Sequence, residues 1–276
     1  MSCRSIACVR LQHGDNANSP GQACHGNPNR EKKQIFRVRR WQWAIDSSRQ
    51  TDDELLQSPP MSTRILLADD HPLFRAALRS AVAQAAPDAA IAEADDLAGV
   101  LARLEAEPDT DLVLLDLHMR DSHGLTGLAA LRAQFPAVAA LVVSASEDAG
   151  VVRRALDHGA VGFVPKSTPP ADILIAIRAV LDGERWVPPV LARTLDAAAS
   201  DPADAELAAR LARLTGQQFR VLAQIGEGRL NKQIADSLGI QERTVKAHVS
   251  AIFEKLGVRN RTQASVVLQR LRLPQK

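Results

Sequence analysis

Acidic residues follow two apolar runs of the sequence. Asp69 and Asp70 follow residues 64–68, and Asp116 follows residues 112–115. If the two runs are neighbouring parallel strands, their carboxyl ends open on the edge where open α/β sheets bind ligands. The three carboxylates then converge and need a cation or a shared proton, and an oxygen-only set suits Mg²⁺ with phosphate oxygens. The pattern predicts a Mg²⁺ site in which one carboxylate can attack phosphorus.

Short apolar runs alternate with amphipathic stretches from residue 63 onward. We predict strands at 64–69, 89–94, 111–116, 139–144 and 160–164, and helices at 72–86, 96–106, 124–134, 147–158 and 169–182. Nearly continuous apolar strands are typical of a parallel sheet buried on both faces, with helices on each side. The pattern predicts an α/β doubly wound, five-stranded parallel sheet over 63–183.

The remaining segments differ in composition from this repeat. Residues 1–60 have no sustained periodicity and are predicted to be a disordered tail, or to precede a true start at Met61. Residues 184–210 are rich in Pro and Ala and are predicted to be a linker with helical turns towards its end. Residues 211–276 are predicted to form a small all-α domain of four helices, in which a helix, a tight turn and a longer helix make a helix-turn-helix.

The charges of the two predicted domains have opposite sign. Residues 61–183 carry 10 basic against 17 acidic side chains, whereas residues 213–276 carry 12 against 4. A compact basic terminus favours a polyanion, most often nucleic acid, as its partner, and the acidic sheet domain argues against the same partner binding there. No run approaches the roughly 20 apolar residues of a membrane span, and a secretory signal is absent, so we expect a cytoplasmic protein with no membrane partner.

The acidic residues belong to a longer pattern of strand-end residues. In chain order these are Asp69-Asp70-His71-Pro72, Leu115-Asp116-Leu117-His118-Met119, Ser144 and Gly162-Phe163-Val164-Pro165-Lys166. Over residues 64–182 this order and spacing resemble the receiver domain of two-component response regulators. The resemblance implies a flavodoxin-like fold whose phosphoryl group comes from the phosphohistidine of a sensor histidine kinase.

The resemblance also implies roles for individual residues. Asp116 is the expected phosphoacceptor, and Lys166 and Ser144 are expected to donate hydrogen bonds to phosphoryl oxygens. The expected Mg²⁺ ligands are Asp69, Asp70, Asp116 and the backbone carbonyl of His118. Ser144 and Phe163 are the expected switch pair, although the family often has tyrosine at the position of Phe163 and this chain has none. A core phenylalanine is the competing interpretation. Arg120 and His123-Gly124 depart from the residues usual in the family and are expected to alter the loop beside Asp116.

The basic terminus carries a second resemblance. Its motifs are Leu214-Thr215, Val221-Leu222, Gly226-Glu227-Gly228, Asn231-Lys232-Gln233-Ile234-Ala235, Thr244-Val245-Lys246-Ala247-His248-Val249 and Lys255-Leu256-Gly257-Val258. These resemble the LuxR-type helix-turn-helix domain. A receiver followed by this domain is typical of the NarL/FixJ class of regulators.

The third helix of this terminus has two contrasting faces. At helical spacing the predicted core face is Val245, Val249, Ile252, Phe253 and Leu256. Lys246, Ala247 and Ser250 are expected to contact base edges in the major groove. Phosphate contacts, or support of the turn, are expected from Arg243, Thr244, Lys232 and His248, and a packed neutral ring is an equal alternative for His248. The fourth helix presents Ala264, Val267, Leu268 and Leu271 either to a dimer partner or to its own core.

We therefore predict a DNA-binding transcriptional regulator, not an enzyme, that is switched by phosphorylation of Asp116 and forms a homodimer when phosphorylated. One alternative is a regulator whose receiver works without phosphorylation. A phosphatase of the haloacid dehalogenase type is another, but it should have an acid two residues after its nucleophile, where this chain has His118.

Overall fold

The parallel sheet forms in the computed structural model, which describes residues 62–197 and 201–273. Its strands are β1 (Arg64–Ala68), β2 (Ala90–Ala94), β3 (Leu112–Asp116), β4 (Ala139–Ser144) and β5 (Gly162–Pro165). They lie side by side in the order β2-β1-β3-β4-β5, and each neighbouring pair is parallel. The predicted fold class is confirmed. The expectation for residues 1–60 lies outside the described residues.

Helices cover both faces of this sheet. They are α1 (Pro72–Ala85), α2 (Leu97–Ala106), α3 (Thr126–Gln134), α4 (Ala149–Asp157) and α5 (Pro170–Leu181). One hydrophobic cluster joins α1 and α5 to one face of the sheet, and another joins α2, α3 and α4 to the opposite face. Every residue of β3 and β4 is buried, which accounts for their unbroken apolar sequences.

A two-stranded antiparallel ribbon, His118–Met119 paired with Ser122–His123, follows β3. The predicted helix 124–134 starts instead at Thr126, because the ribbon and its turn occupy the preceding residues. The Asp121 carboxylate accepts hydrogen bonds from the backbone amides of Leu97 and Ala98, at 2.7 and 3.0 Å. The loop after β3 is thus tied to the first turn of α2.

The residues that the structure describes after the sheet domain are mainly helical. Their helices are α6 (Pro189–Ala197), α7 (Pro202–Leu211), α8 (Gly216–Gly226), α9 (Asn231–Leu238), α10 (Glu242–Leu256) and α11 (Arg261–Leu271). The four helices predicted after the linker are present, and α7 matches the helical turns expected near its end. The sequence reasoning missed α6, which begins at a proline, a residue favoured in the first turn. None of the helices in the described ranges is long and apolar enough to cross a membrane.

The helical part packs directly on the sheet domain. α3 packs against α7 and α8, and α4 packs against α6 and α7. The hydrophobic cluster under α2, α3 and α4 continues without a break into the cores of α7 to α11. Ion pairs border this contact: Arg154 Nε lies 2.8 Å from Asp204 Oδ2, and Arg220 Nη2 lies 2.6 Å from Glu105 Oε1.

Candidate functional site

The ends of β1 and β3 bring the predicted acidic residues together. β1 and β3 are direct neighbours, with Ala68 opposite Leu115, so the residues that follow them share one edge of the sheet. Asp69, Asp70, His71 and Asp116 each offer a ligand atom, and these atoms all lie within 4.8 Å of one another. The convergence expected from the sequence is therefore present, with His71 as an additional member.

Lys166 bridges two of the carboxylates. Its Nζ lies 2.7 Å from Asp69 Oδ2 and donates a hydrogen bond to Asp116 Oδ2 at 2.8 Å. The residue directly follows β5, and its backbone amide donates to the carbonyl of Ser144 at 2.7 Å, which fixes the loop against β4. The ammonium also lies 4.9 Å from the centre of the Phe74 ring, within range of a cation–π contact.

Asp116 is buried, and opposing effects act on its carboxylate. Burial raises the pKa of Asp116, and the nearby charge of Asp69 adds to this, whereas the hydrogen bond and charge of Lys166 and the His118 backbone amide act to lower it. The amide nitrogen of His118 is 3.1 Å from Asp116 Oδ1. The net effect is a raised pKa, so the ionised form that could act as a nucleophile depends on cationic neighbours.

The pocket has donor groups that fit a divalent cation. Asp69 Oδ2 and Asp70 Oδ1 are buried oxygens that have no well-aligned hydrogen-bond partner among the described residues. Carboxylate oxygens are the ligands that Mg²⁺ prefers. The side of the pocket open to solvent is lined by His71, Leu73, Phe74, Asp116, His118, Ala145 and Lys166. The residues present therefore suit Mg²⁺ in the expected place.

Ser144 and Phe163 lie close to the pocket. Ser144 is the last residue of β4 and is fully buried, and its Oγ accepts a hydrogen bond from the Ser146 amide at 3.2 Å. Phe163 lies in β5 with no exposed surface, inside the cluster that reaches the helical domain. This burial fits the core interpretation of Phe163, and its role as a switch stays a prediction.

Sequence reasoning missed His71 as a member of the pocket. Its Nδ1 lies 2.7 Å from Asp70 Oδ1, although its side chain is 64% exposed. The available signal was its position directly after the aspartate pair, since a residue that begins the turn into α1 stays at the strand end.

The predicted reading face of α10 is open to solvent. Lys246, Ala247 and Ser250 are all exposed, and the Nζ of Lys246 lies 3.0 Å from Glu242 Oε1 one turn earlier. The opposite face is packed: Val245, Ile252 and Leu256 are buried, and Val249 and Phe253 are partly buried. The helix therefore presents its polar face outward while the receiver is docked.

The other expected DNA contacts surround this face. Arg243 and Lys232 are exposed, and Thr244 and His248 are partly exposed, so none of the four is sealed in a core. Arg261, at the start of α11, donates to the backbone carbonyl of Arg229 and to Asn231 Oδ1. These contacts hold the residues around the start of α9 in place.

The apolar face of α11 is covered in this structure. Ala264, Leu268 and Leu271 are buried and Val267 is partly buried, mainly against α8. The more exposed apolar residue of the helix is Val266, at 46%. Of the two interpretations of this face, packing against its own core is the one that the structure supports.

The loop after β3 also contacts the end of α11. The Leu125 amide donates to the carbonyl of Leu271 at 2.8 Å. Gly124 has a φ of +67°, and a Cβ built on it would lie 2.5 Å from that carbonyl oxygen and 2.6 Å from the amide nitrogen of Leu273. Glycine is required here both for the backbone conformation and for the close approach. We name these contacts of Gly124 and Leu125 with residues 271–273 the backbone latch.

Comparisons with known proteins agree with this architecture. The family model of the response regulator receiver domain matches residues 65–178, and the model of bacterial regulatory proteins of the luxR family matches residues 212–268. Together these segments contain the acidic pocket and α10.

Curated relatives match both parts of the chain at once. The glycerol metabolism activator of Pseudomonas putida is 43% identical over 204 residues, which are 73% of this chain and 92% of that protein. The nitrate/nitrite response regulator protein NarP of Escherichia coli (strain K12) is 33% identical over 209 residues, 74% of this chain and 93% of that protein. A solved structure of two RcsB dimers bound to two parallel DNAs is 23% identical, with a TM-score of 0.47, and covers 75% of this chain and 98% of that one. The chain belongs to the response regulators that join a receiver domain to a LuxR-type DNA-binding domain.

Proposed function

We propose that a sensor histidine kinase phosphorylates this regulator on Asp116, and that the phosphorylated form binds promoter DNA as a homodimer. The observation that carries the proposal is the pocket itself, where Lys166 contacts Asp69 and Asp116 at 2.7 and 2.8 Å at the carboxyl ends of neighbouring strands. A buried group of carboxylates is costly unless cations compensate it. Phosphoryl transfer accounts for such a group, because the reaction uses the carboxylates together with the cations that compensate them.

In the proposed transfer, a carboxylate oxygen of Asp116 forms a bond to phosphorus while the nitrogen–phosphorus bond of the phosphohistidine breaks. The leaving imidazole keeps the bonding electrons and takes up a proton, and Asp116 becomes an acyl phosphate. Lys166 is placed to transfer its hydrogen bonds from the carboxylates to a phosphoryl oxygen. Ser144 supplies a hydroxyl to another oxygen, and its inward movement is the proposed link to Phe163.

We propose Mg²⁺ as the cation of this pocket, held by the carboxylates of Asp69, Asp70 and Asp116 and by the backbone carbonyl of His118. When bound, it supplies charge neutralisation and orientation for the phosphoryl oxygens. The buried oxygens Asp69 Oδ2 and Asp70 Oδ1, which accept no well-aligned hydrogen bond among the described residues, support the assignment. The reaction modifies the chain itself, so we propose a regulator rather than an enzyme.

DNA recognition is proposed for the exposed face of α10. The proposed base contacts are Lys246, Ala247 and Ser250. The proposed phosphate contacts, or supports of the turn, are Arg243, Thr244, Lys232 and His248. Because DNA is the partner, we propose that the protein acts in the cytoplasm.

The proposed switch acts at the contact between the two domains. The backbone latch joins the loop that follows Asp116 to the end of α11, so a change at the pocket has a short route to that helix. We propose that phosphorylation opens this contact and frees surface on the helical domain for a second copy.

The proposed domain boundaries are a receiver at 63–183, a helical linker at 184–210 and a DNA-binding domain at 211–276.

The test is to incubate the full chain with Mg²⁺ and a small acyl-phosphate donor and to measure intact mass, oligomeric state and binding to duplex DNA. Wild type is expected to gain one phosphoryl group, to shift towards a dimer and to bind DNA more tightly. Asp116→Ala is expected to stay unmodified and monomeric, with its fold checked by circular dichroism.

Two outcomes would contradict the proposal. If neither protein gains mass although both are folded, the receiver works without phosphorylation. If Asp116→Ala gains the same mass as wild type, another residue is the acceptor.

A further inference from the structure

His71 belongs to the acidic pocket, but the function proposed above gives its side chain no role. Its Nδ1 lies 2.7 Å from Asp70 Oδ1 and 3.3 Å from Asp69 Oδ1. The same nitrogen lies 3.8 Å from Asp116 Oδ2. One ring nitrogen therefore faces all three carboxylates from the solvent side of the pocket.

These contacts have the spacing of ligands around one ion. Neighbouring ligand atoms of an octahedral cation, each about 2.1 Å from the metal, are about 3 Å apart. The Nδ1 atom of His71 and the nearest oxygens of Asp69 and Asp70 are separated by 2.7 and 3.3 Å. Among the described residues, Asp70 Oδ1 accepts no aligned hydrogen bond in spite of this short contact, so the oxygen keeps its capacity to bind a cation.

Two hydrogen bonds hold the backbone of His71 at the edge of the pocket. Its amide donates to Asp69 Oδ1 at 2.7 Å, and its carbonyl accepts from the Arg75 amide at 3.0 Å. Pro72 then begins α1 and fixes the direction of the chain. The His71 side chain is 64% exposed and lines the side of the pocket that is open to solvent.

We propose that His71 is a nitrogen ligand of the divalent cation in this pocket, and that it shifts the preference of the site from Mg²⁺ towards Mn²⁺ and the later first-row divalent ions. Mg²⁺ favours oxygen ligands, whereas imidazole favours transition metals, whose affinities rise along the series from Mn²⁺ to Ni²⁺. The inference rests on the proposed function in one respect, namely that the carboxylates hold a cation.

The test uses untagged full-length protein with Mn²⁺ as the probe. Pulsed electron paramagnetic resonance detects ¹⁴N bound directly to Mn²⁺, and competition with Mg²⁺ gives the ratio of the two affinities. Wild type is expected to show the nitrogen coupling, and His71→Gln is expected to lose it. The Mn²⁺ affinity of His71→Gln is expected to fall by at least about tenfold, since removing even a hydrogen-bond partner of a metal ligand usually costs that much, with a smaller change for Mg²⁺.

Two matched variants complete the test. His118→Gln removes the other imidazole that lines the pocket and is expected to keep the nitrogen coupling. Asp70→Asn removes a proposed oxygen ligand and is expected to weaken both ions.

The outcomes separate this inference from the proposed function. Mn²⁺ binding without nitrogen coupling, or coupling that survives in His71→Gln, overturns the role of His71 and leaves the phosphoryl site standing. If neither Mn²⁺ nor Mg²⁺ binds and Asp70→Asn behaves like wild type, the cation site and the inference both fail.

Discussion

The acidic pocket and the exposed face of α10 each contain a lysine, and the two lysines have different surroundings. Lys166 has a side chain that is 16% exposed and lies between two buried carboxylates, at 2.7 and 2.8 Å. Lys246 is 65% exposed and pairs with one exposed acid, Glu242, at 3.0 Å. The charge of Lys166 is largely compensated inside the protein, whereas the charge of Lys246 is shared with water. The pocket is therefore organised before its ligand arrives, and the reading helix gains most of its partners when DNA binds.

The largest effect is expected from removing the buried lysine. Lys166→Ala is expected to slow phosphoryl transfer from a small acyl phosphate by roughly 10²- to 10³-fold, because an oriented and largely buried cation is lost from the pocket. Stopped-flow or quenched mass measurements give the rate. Retained DNA binding and an unfolding transition serve as controls for folding. A rate within about threefold of wild type would remove Lys166 from the mechanism.

His158 lies between the two regions and is expected to make stability depend on pH. Burial, followed by the charge of Arg154, lowers the pKa of His158 from 6.5 to about 4, against the opposing charges of Asp204 and Asp157. A lowered pKa means that the neutral ring supports the fold above pH 6.5 and that this support is lost as pH falls towards 4. From the size of the shift, the loss is about 3 kcal/mol.

Urea unfolding at several pH values between 7 and 4 measures this loss. Wild type is expected to lose about 3 kcal/mol more than His158→Gln over this interval, because the variant cannot titrate there. Parallel curves for the two proteins would show that the ring is solvated in the folded state.

The exposed lysine is expected to have a smaller effect, confined to DNA. Lys246→Ala is expected to weaken the binding free energy by about 2 kcal/mol for a duplex selected from a random library, and by less for unselected DNA. The difference arises because a base contact carries specificity. Lys232→Ala is the matched variant: it is expected to weaken both duplexes alike and to reduce the salt slope by about 0.9. If Lys246→Ala weakens both duplexes equally, Lys246 contacts phosphate.

The smallest effect is expected at the backbone latch. Gly124→Ala places a methyl group 2.5 Å from the Leu271 carbonyl oxygen, so the closed contact must shift. An alanine in the left-handed conformation costs about 1–2 kcal/mol, and this cost destabilises the closed contact. The unphosphorylated variant is therefore expected to dimerise about tenfold more readily than wild type. Gly228→Ala has a φ of +81° and meets nothing within 4 Å, so it serves as a control for strain. Equal dimerisation of the two variants in sedimentation would contradict the role of the latch.

The sequence predicted the sheet and the acidic pocket well because both follow from local rules. A buried parallel strand must be apolar, and its carboxyl end defines where Asp69 and Asp116 meet. Lys166 was placed correctly for the same reason, since it follows β5 directly. The amphipathic pattern of α10 likewise identified its buried and exposed faces.

Long-range features could not be predicted in this way. The contact of Leu271 with the loop at Gly124 joins residues that are far apart in sequence, and nothing local to either residue indicates it. The burial of the α11 face depends on how α11 packs against α8, and periodicity alone does not show whether α8 or a second copy covers it. The direction of the His71 ring depends on a side-chain rotamer, and its position after Asp70 alone could not settle that.

Because ion pairs border the contact between the domains, ionic strength is expected to affect DNA binding in two opposing ways. Added salt screens the pairs Arg154–Asp204 and Arg220–Glu105 and so loosens the closed form, while it also weakens contacts with DNA phosphates. In the unphosphorylated protein the first effect offsets part of the second. A plot of log affinity against log salt is therefore expected to be shallower before phosphorylation than after it, and the difference in slope measures how firmly the domains are closed.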